Sequence, residues 1–362
     1  MNHRFLAFVM LGFTVLSGCG TGAERADTAS SEEDGGASTS LAMPGEEHFR
    51  NLRQLTFGGE NAEAYWAFDG SALVYQARKP GMECDQIFLL DLETLESTEV
   101  STGEGRTTCS YFYPDGERIL YSSTHHHDEA CPAAPDMSLG YVWPIYDTYD
   151  IFTANIDGSD LRQLTETEGY DAEATVSPVG DRIVFTSVRD GDLDLYSMNL
   201  DGSDVRRLTD RLGYDGGAFY SPDGSQIIWR AHYPEEGAEA DEYVRLLDEG
   251  LIRPGDLDIW VMDADGSNKR QVTDLPGANF APYWHPSGDR ILFSSNHEDP
   301  AGREFEIYMI GLDGTGLTRL TYSEDFDGFP VFSPDGRYLV FGSNRFHENS
   351  GDTNLFLAEW VD

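Results

Sequence analysis

Lysine is nearly absent from this chain. Only Lys79 and Lys269 occur among 362 residues, and lysine plus arginine number 24 against 65 aspartates and glutamates. The formal net charge is therefore −41 at pH 7. A surface of that sign repels phosphate backbones and anionic headgroups, which excludes nucleic acid and anionic membrane surfaces as partners.

Long apolar runs are also scarce. Residues 5–16 form one, but it is too short for a permanent membrane span and is typical of a secretory signal. It ends in Leu-Ser-Gly-Cys at Cys19, which resembles the lipobox of bacterial lipoproteins. The resemblance implies a signal peptide over residues 1–18 and a lipid on the Cys19 thiol. Because glycine rather than aspartate follows, it also implies the outer membrane, facing the periplasm or the cell surface. An ordinary signal peptide containing a cysteine is the alternative.

Large apolar side chains are almost missing from the segment that follows, up to Leu41. Residues 19–48 consist mainly of Ser, Thr, Gly, Ala and acidic residues, a composition that cannot bury enough surface to fold. We therefore predict a lipidated, acidic, disordered tether over residues 19–48, with the folded domain over 49–362.

Cysteines are few. Besides Cys19 the chain has Cys84, Cys109 and Cys131, and in an oxidising compartment two of these three can pair. The spacing does not decide which. A Gly-x-Ser-x-Gly nucleophile motif is missing as well.

Internal repetition is the strongest feature that is present. A Pro-Asp-Gly-like turn recurs six times between an aromatic-rich run and a β-branched run, which is typical of a hairpin. Two further positions recur with it in every unit, and we call each set of equivalent residues a column. One column is an aromatic residue early in the third strand, and the other is a Ser or Thr that closes the unit. The turn glycines are Gly70, Gly116, Gly180, Gly224, Gly288 and Gly336. The aromatic residues are Phe88, Phe152, Tyr196, Trp260, Tyr308 and Phe356, and the closing residues are Thr56, Ser101, Thr165, Thr209, Thr273 and Thr321.

Each unit therefore has four short antiparallel strands, which we label a to d from the inside outward. Four-stranded units at this spacing predict an all-β, six-bladed β-propeller. Residues 53–56 match a d strand that lacks its own a to c strands, and residues 355–359 match a c strand that lacks a d strand. We therefore predict that the N-terminal strand joins the last blade and closes the ring.

The repeat resembles that of TolB-type propellers, most clearly over residues 177–209, and the resemblance spans residues 50–362. It implies the fold. It leaves function open, because the same repeat serves translocation proteins, peptidase propellers and sugar-acid lyases. TolB carries a small α/β domain before its propeller, and prolyl oligopeptidases carry a hydrolase domain; we expect neither in this chain.

Two long b–c connections rise from the same face of the predicted ring, at residues 125–149 in blade 2 and 232–257 in blade 4. We call this side the insert face, and long loops on a rigid scaffold favour binding there. Residues 239–250 predict a short helix within the second insertion. The candidate binding residues on this face are Tyr141, Trp143, Tyr146, Arg189, Tyr243 and Arg345.

A column of short polar residues begins each innermost strand, and we expect it to ring the channel mouth on the insert face. Carboxylates converging there attract a cation or a peptide amine, and Glu63 and Glu173 lie two residues further in. The alternative is that each side chain bonds its own loop backbone. The column is Asn61, Thr107, Asp171, Asp215, Asn279 and Asp327.

Histidines cluster at the ends of b strands. His125, His127, His232 and His297 are the candidate ligands for a divalent cation, with Ca²⁺, Mn²⁺ and Zn²⁺ considered. Histidines that are simply solvated or hydrogen-bonded in loops are the alternative. The resemblance supports a metal site, because oligogalacturonate lyases hold a metal with histidines on a related propeller.

The sequence favours a non-catalytic, monomeric propeller of the cell envelope that binds a protein or peptide on its insert face, in transport or envelope maintenance. Two alternatives are also compatible with the sequence. One is a metal-dependent sugar-acid lyase like the oligogalacturonate lyases, and the other is the accessory propeller of a peptidase.

Overall fold

A computed structural model describes residues 40–362. The predicted signal peptide, Cys19 and most of the predicted tether lie outside the described residues. Within them, six four-stranded antiparallel sheets are arranged as consecutive blades, so the predicted six-bladed propeller is confirmed.

The first half of the propeller begins with the strand that completes the last blade and continues through blades 1 to 3. Blade 6 receives β1 (Phe49–Gln54). Blade 1 contains β2 (Glu60–Trp66), β3 (Ala72–Arg78), β4 (Gln86–Asp91) and β5 (Ser97–Glu99). Blade 2 contains β6 (Thr107–Phe112), β7 (Arg118–Ser123), β9 (Asp150–Asn155) and β10 (Arg162–Gln163), and the short strand β8 (Trp143–Pro144) lies in its insertion. Blade 3 contains β11 (Asp171–Val176), β12 (Ile183–Ser187), β13 (Asp194–Met198) and β14 (Arg206–Arg207).

The second half repeats the same order. Blade 4 contains β15 (Tyr214–Tyr220), β16 (Gln226–His232), β18 (Asp258–Asp263) and β19 (Arg270–Gln271), and its insertion holds the helix α1 (Ala238–Asp248) and the short strand β17 (Leu251–Ile252). Blade 5 contains β20 (Asn279–Trp284), β21 (Arg290–Ser295), β22 (Glu306–Gly311) and β23 (Thr318–Arg319). Blade 6 contains β24 (Asp327–Phe332), β25 (Tyr338–Ser343) and β26 (Asn354–Trp360).

The recurring turn residues explain why each hairpin forms. All six turn glycines have φ between 70° and 77°, a region that β-carbon sterics make costly for other residues. In blade 4, Asp223 Oδ1 accepts hydrogen bonds from the N–H and the hydroxyl of Ser225, which fixes the turn locally.

The aromatic column forms the centre of each blade. Each member packs against an aromatic residue of the neighbouring b strand, with ring centroids 5.8–6.3 Å apart in all six blades. Apart from Trp260, which is half-buried, these rings are almost completely buried between sheets, where they supply much of the apolar surface removed from water.

The closing Ser/Thr column holds the outer strand to its neighbour. In blade 3 the Thr209 hydroxyl accepts the N–H of Leu195, at 2.8 Å. In blade 6 the equivalent bond joins Thr56 to the N–H of Leu355, at 2.9 Å across 299 residues. Strand β1 pairs with β26, so the predicted closure of the ring by the N-terminal strand is confirmed.

The folded structure begins before residue 49. Leu41 and Ala42 pack against the apolar core between blades 5 and 6, and Glu46 is 4% exposed. Residues 40–48, which we assigned to the tether, are therefore part of the propeller. Their composition looked disordered because the stabilising contacts come from residues about 300 positions away.

Candidate functional site

A β-bulge interrupts the innermost strand of every blade two or three residues after it begins. The bulged residue has φ between 50° and 57° in all six blades. All six bulged residues line one cavity in the central channel, so this column determines the chemistry of the channel. Its members are Glu63, Cys109, Glu173, Gly217, Ala281 and Phe329.

Glu173 lies at the centre of a hydrogen-bond network. Its Oε1 accepts from Arg230 Nη2 at 2.8 Å and from the Tyr214 hydroxyl at 3.0 Å, while Oε2 accepts the N–H of Gly217 at 2.5 Å. A Cβ at Gly217 would overlap the Arg230 guanidinium, so glycine here lets Arg230 reach the channel from strand b. The charges of Glu173 and Arg230 offset each other.

Glu63 faces the same cavity with fewer partners. Its one side-chain hydrogen bond in residues 40–362 comes from the Cys109 thiol, at 3.4 Å. Burial raises the pKa of Glu63 to about 7, although the nearby Arg230 opposes the shift. Burial also raises the pKa of the Cys109 thiol, and the carboxylate of Glu63 adds to that effect. Cys109 is therefore held as an unreactive thiol.

The cavity is small and its floor is closed. Its volume is about 30 Å³, whereas one water needs roughly 10–15 Å³. Beneath it, Tyr65, Tyr111, Phe219 and Tyr283 pack ring against ring, with centroids 5.3–6.2 Å apart. These rings fill the channel axis, so the propeller has a closed recess here rather than a continuous pore.

The two insertions meet above blade 3. Strands β8 and β17 pair antiparallel, with Trp143 opposite Ile252 and Pro144 opposite Leu251. Sequence reasoning placed both insertions on one face but did not anticipate that they form one ribbon. The Trp143 ring lies 5.2 Å from the Arg230 guanidinium, which connects the ribbon to the channel.

Helix α1 attaches the second insertion to blade 3. Tyr243 is buried, and its hydroxyl donates to Asp192 Oδ1 at 2.6 Å. Leu246 packs with Val142 and Leu251 in a small apolar cluster between the two insertions. We call the structure formed by the two insertions the insert layer. Tyr243 anchors this layer to blade 3 and is not an exposed contact residue.

A disulfide holds the first insertion to blade 1. It joins Cys84 to Cys131, which are 47 positions apart, and Cys109 is the free cysteine of the described chain. The sequence left this pairing open.

The other insert-face candidates are divided between surface and interior. Tyr141 is 56% exposed, and Trp143 and Tyr146 are half-buried. Arg189 is half-buried and bonds both carboxylate oxygens of Asp171. Arg345 is 1% exposed and bonds acidic side chains inside the fold. Neither arginine presents a free guanidinium to a partner, because each stabilises a buried carboxylate.

The polar column does not ring the channel mouth as expected. All six side chains are at most 2% exposed, and all six backbone N–H groups donate to a carbonyl of the preceding blade at 2.8–3.0 Å. Three of the side chains do the same: Asn61 donates to the Thr353 carbonyl, Thr107 to the Asp85 carbonyl and Asn279 to the Leu257 carbonyl. Asp171, Asp215 and Asp327 instead bond side chains of their own blades. The column therefore joins adjacent blades, and the channel is lined by the residues two positions later.

The four candidate metal ligands are not brought together. His125 and His127 belong to blade 2, His232 to blade 4 and His297 to blade 5. Their ring nitrogens contact neighbours in their own blades, such as Ser123 for His125 at 2.7 Å and Ser295 for His297 at 3.0 Å. Within residues 40–362, no three His, Cys, Asp or Glu side chains are grouped so that they could hold a metal ion.

A larger groove of about 460 Å³ lies on the opposite side, between blades 6 and 1. Asp69 and Asp335 line it, but each is bonded within its own turn, to Ser71 and to Ser333 respectively. The channel cavity is smaller, yet it holds Glu63, a carboxylate that receives only one weak side-chain hydrogen bond. We therefore take the channel cavity as the candidate site.

Sequence reasoning missed two members of the site. Cys109 was considered only as a disulfide partner, and Arg230 reaches the channel from a b strand. An alignment of the six repeats at the bulge position would have identified Cys109 beside Glu63 and Glu173. The Gly216–Gly217 pair was the available signal for Arg230, because it departs from the larger residues in most other blades.

Comparisons with known proteins agree with the architecture. A family model described as the TolB beta propeller domain matches residues 135–240 and 250–357. The structure of a putative TolB from Agrobacterium tumefaciens aligns with a TM-score of 0.56 at 21% identity, covering 84% of this chain and 91% of that one. An oligogalacturonate lyase in complex with manganese aligns with a TM-score of 0.53 at 17% identity, covering 85% and 80%.

Among curated sequences, the uncharacterized peptidase YuxL of Bacillus subtilis is 31% identical over a match that covers 25% of this chain. The match spans 19% of that relative's length. In the part of the chain that the structure describes, no helix is both long and apolar enough to cross a membrane.

Proposed function

The chain belongs to the TolB β-propeller domain family, and from that premise we propose that it is a non-catalytic binding module of the bacterial cell envelope. In this proposal a protein or peptide partner docks on the insert face. The propeller supplies a rigid ring, and the partner contacts the layer that the two insertions add to it.

The observation that carries this proposal is the pairing of β8 with β17. Two insertions from different blades are held to each other by backbone hydrogen bonds, to blade 3 by Tyr243 and to blade 1 by the Cys84–Cys131 disulfide. Ordering long loops costs conformational entropy, and such loops on a rigid scaffold are the usual place for binding. The layer leaves Tyr141 56% exposed, and its hydroxyl accepts a hydrogen bond from Trp143 Nε1 at 3.0 Å.

We also propose that the module is exported and anchored through a lipid on Cys19, in the outer membrane and facing the periplasm or the cell surface. This part of the proposal rests on the lipobox-like Leu-Ser-Gly-Cys ending at Cys19. An anchored protein with a net charge of −41 would approach basic rather than acidic partners, because charge complementarity steers association.

Site-specific photo-crosslinking in living cells tests where the partner docks. A benzoylphenylalanine at Tyr141 probes the insert face, and one at Val179, which is 60% exposed in an a–b turn, is the matched control on the opposite face. We expect a discrete protein adduct from position 141 and none from position 179. Equal labelling at both positions, or no adduct at 141, would contradict the proposal.

A further inference from the structure

We propose that the channel cavity binds a single primary ammonium group, carried by a lysine side chain or by the amino terminus of the partner. That the ammonium group belongs to a protein partner rests on the proposed function. That the cavity binds an ammonium group does not rest on it, and can be tested on the purified protein with small cations.

The cavity is lined by two carboxylates, those of Glu63 and Glu173, but by one guanidinium, that of Arg230. Glu173 is saturated by Arg230, Tyr214 and the N–H of Gly217. Glu63 receives only the weak Cys109 thiol bond. The pair formed by Glu173 and Arg230 is neutral, so ionised Glu63 leaves one net negative charge facing the cavity. A single monovalent cation is the occupant that balances it.

A second polar group in the wall points to the same occupant. Ser110 lines the cavity and is 1% exposed, yet its hydroxyl has no hydrogen-bond partner within residues 40–362. A buried hydroxyl without a partner is costly and is normally satisfied. An ammonium group carries three donors, which suits one carboxylate and one hydroxyl oxygen close together.

Aromatic rings complete the wall. Tyr65, Phe219 and Phe329 line the cavity together with Glu63. Aromatic faces attract cations, most strongly where water is excluded. Carboxylate, hydroxyl and aromatic rings in one recess are therefore a site for an organic cation.

The volume selects among cations. About 30 Å³ accommodates a group the size of a water molecule, such as –NH₃⁺, with its carbon stem directed outward. A guanidinium or a quaternary ammonium group is too large. A divalent ion prefers six or more oxygen ligands, and the described residues offer no group of three acidic or imidazole ligands.

Saturation-transfer NMR with n-butylammonium chloride tests the chemistry on the full-length protein, at pH 8 and constant ionic strength. We expect Glu63→Gln to weaken binding about tenfold or more, since a charged hydrogen-bond acceptor is lost. Glu60→Gln is the matched control, because it removes the same charge from the same strand at an exposed position paired with Arg78. It should bind like the wild type, and butylguanidinium and tetramethylammonium should not compete.

Equal binding by Glu63→Gln and the wild type, or competition by either bulky cation, overturns the proposal. Ser110→Ala supplies a second variant. It should fold at least as stably as the wild type while binding butylammonium more weakly, whereas a purely structural Ser110 would leave binding unchanged. These results do not depend on the crosslinking at Tyr141. The proposal for the cavity and the proposal for the docking face can therefore be refuted independently.

Two further probes distinguish the source of the ammonium. Acetyl-Gly-Lys-Gly-amide offers only a lysine ammonium, and Gly-Gly-Gly-amide offers only an amino terminus. Displacement of butylammonium by the first supports lysine recognition, and displacement by the second supports recognition of an amino terminus. Displacement by neither peptide overturns the assignment to a protein partner.

Discussion

Glu46 and Arg345 form a bidentate ion pair across 299 residues. Arg345 Nη2 lies 2.8 Å from Glu46 Oε1 and Nη1 lies 3.1 Å from Oε2, with both side chains at most 1% exposed. Arg345 also binds Asp327 Oδ2 at 2.6 Å. The segment before β1 is thereby held to blade 6 by a buried triad of one cation and two carboxylates.

Removing Arg345 should cost more than removing Glu46. Arg345→Met leaves two carboxylates buried without their partner, so we expect about 3–5 kcal/mol of lost stability. Glu46→Gln keeps the Asp327 pair and should cost about 1–3 kcal/mol. Urea unfolding measures both, with the exposed Glu47→Gln as control. A chain shortened to residues 40–362 should match the full chain, whereas one starting at residue 49 should resemble the Glu46 variant or be less stable.

Stability should fall as the pH rises from about 4 to 7. Burial raises the pKa of Asp215 and of Glu306 to about 7, so the folded state holds protons that the unfolded state has already released. Such groups stabilise the fold below their unfolded pKa and lose that contribution as pH rises through the folded pKa.

Asp215→Asn should therefore flatten this pH dependence. The amide oxygen can still accept from Trp229 and Tyr233, which both bond Asp215 Oδ1 at 2.6 Å. We expect the variant to be more stable than the wild type at pH 8 by up to about 3 kcal/mol, and equal or less stable at pH 4. Chemical unfolding at both pH values checks this, and a constant difference between them would refute it.

Helix α1 should loosen when the hydroxyl of Tyr243 is removed. Tyr243→Phe removes one of the three hydrogen bonds that Asp192 accepts, which should cost about 1–3 kcal/mol of local stability. The N–H groups of Leu193 and Gly213 still donate to Asp192 in this variant. Hydrogen exchange should accelerate over residues 238–252 and stay unchanged in the blades. Tyr322→Phe, at an exposed position, is the control. Faster exchange throughout the propeller would mean that the insert layer does not open independently.

The disulfide should stabilise the propeller by up to about 4 kcal/mol, because it closes a loop of 47 positions in the unfolded chain. The Cys84→Ser/Cys131→Ser double variant measures that contribution in urea. In the shortened chain 40–362, a thiol reagent should label Cys109 slowly in the folded state and stoichiometrically after denaturation. Rapid labelling of two or three thiols would show that the disulfide does not form.

Lipidation should depend on Cys19 alone. We expect the wild type to incorporate radiolabelled palmitate and to fractionate with the outer membrane, and Cys19→Ala to do neither. The one free cysteine of the folded domain, Cys109, provides the internal control, because it is present in both proteins. Palmitate retained by Cys19→Ala would contradict the lipobox assignment.

The repeats determined the architecture, because each column has a local physical role. The turn glycines are needed for a positive φ, the aromatic column fills each blade, and the closing Ser/Thr hydroxyls accept the N–H at the start of the c strand. These roles repeat six times, so the blade count and the ring closure could be derived without coordinates.

The candidate site could be predicted only in part. Glu63 and Glu173 were expected near the channel mouth, and the structure places both on one cavity. The polar column, two residues before the bulge, was expected at the channel mouth but lies between adjacent blades. The alternation of a strand shows which residues share a face. It does not show whether that face meets the channel or a neighbouring blade. The β-bulge decides this, since it turns the residue two positions later toward the axis.

Pairing between distant segments depended entirely on the tertiary structure. The chain alone did not show that Cys84 faces Cys131, that β8 meets β17, or that Glu46 reaches Arg345. Local propensity and composition are properties of neighbouring residues, and they determined the blades and the ring. Contacts between insertions and termini arise only once the ring has brought those segments together, so the cavity and the paired insertions could be described only from the tertiary structure.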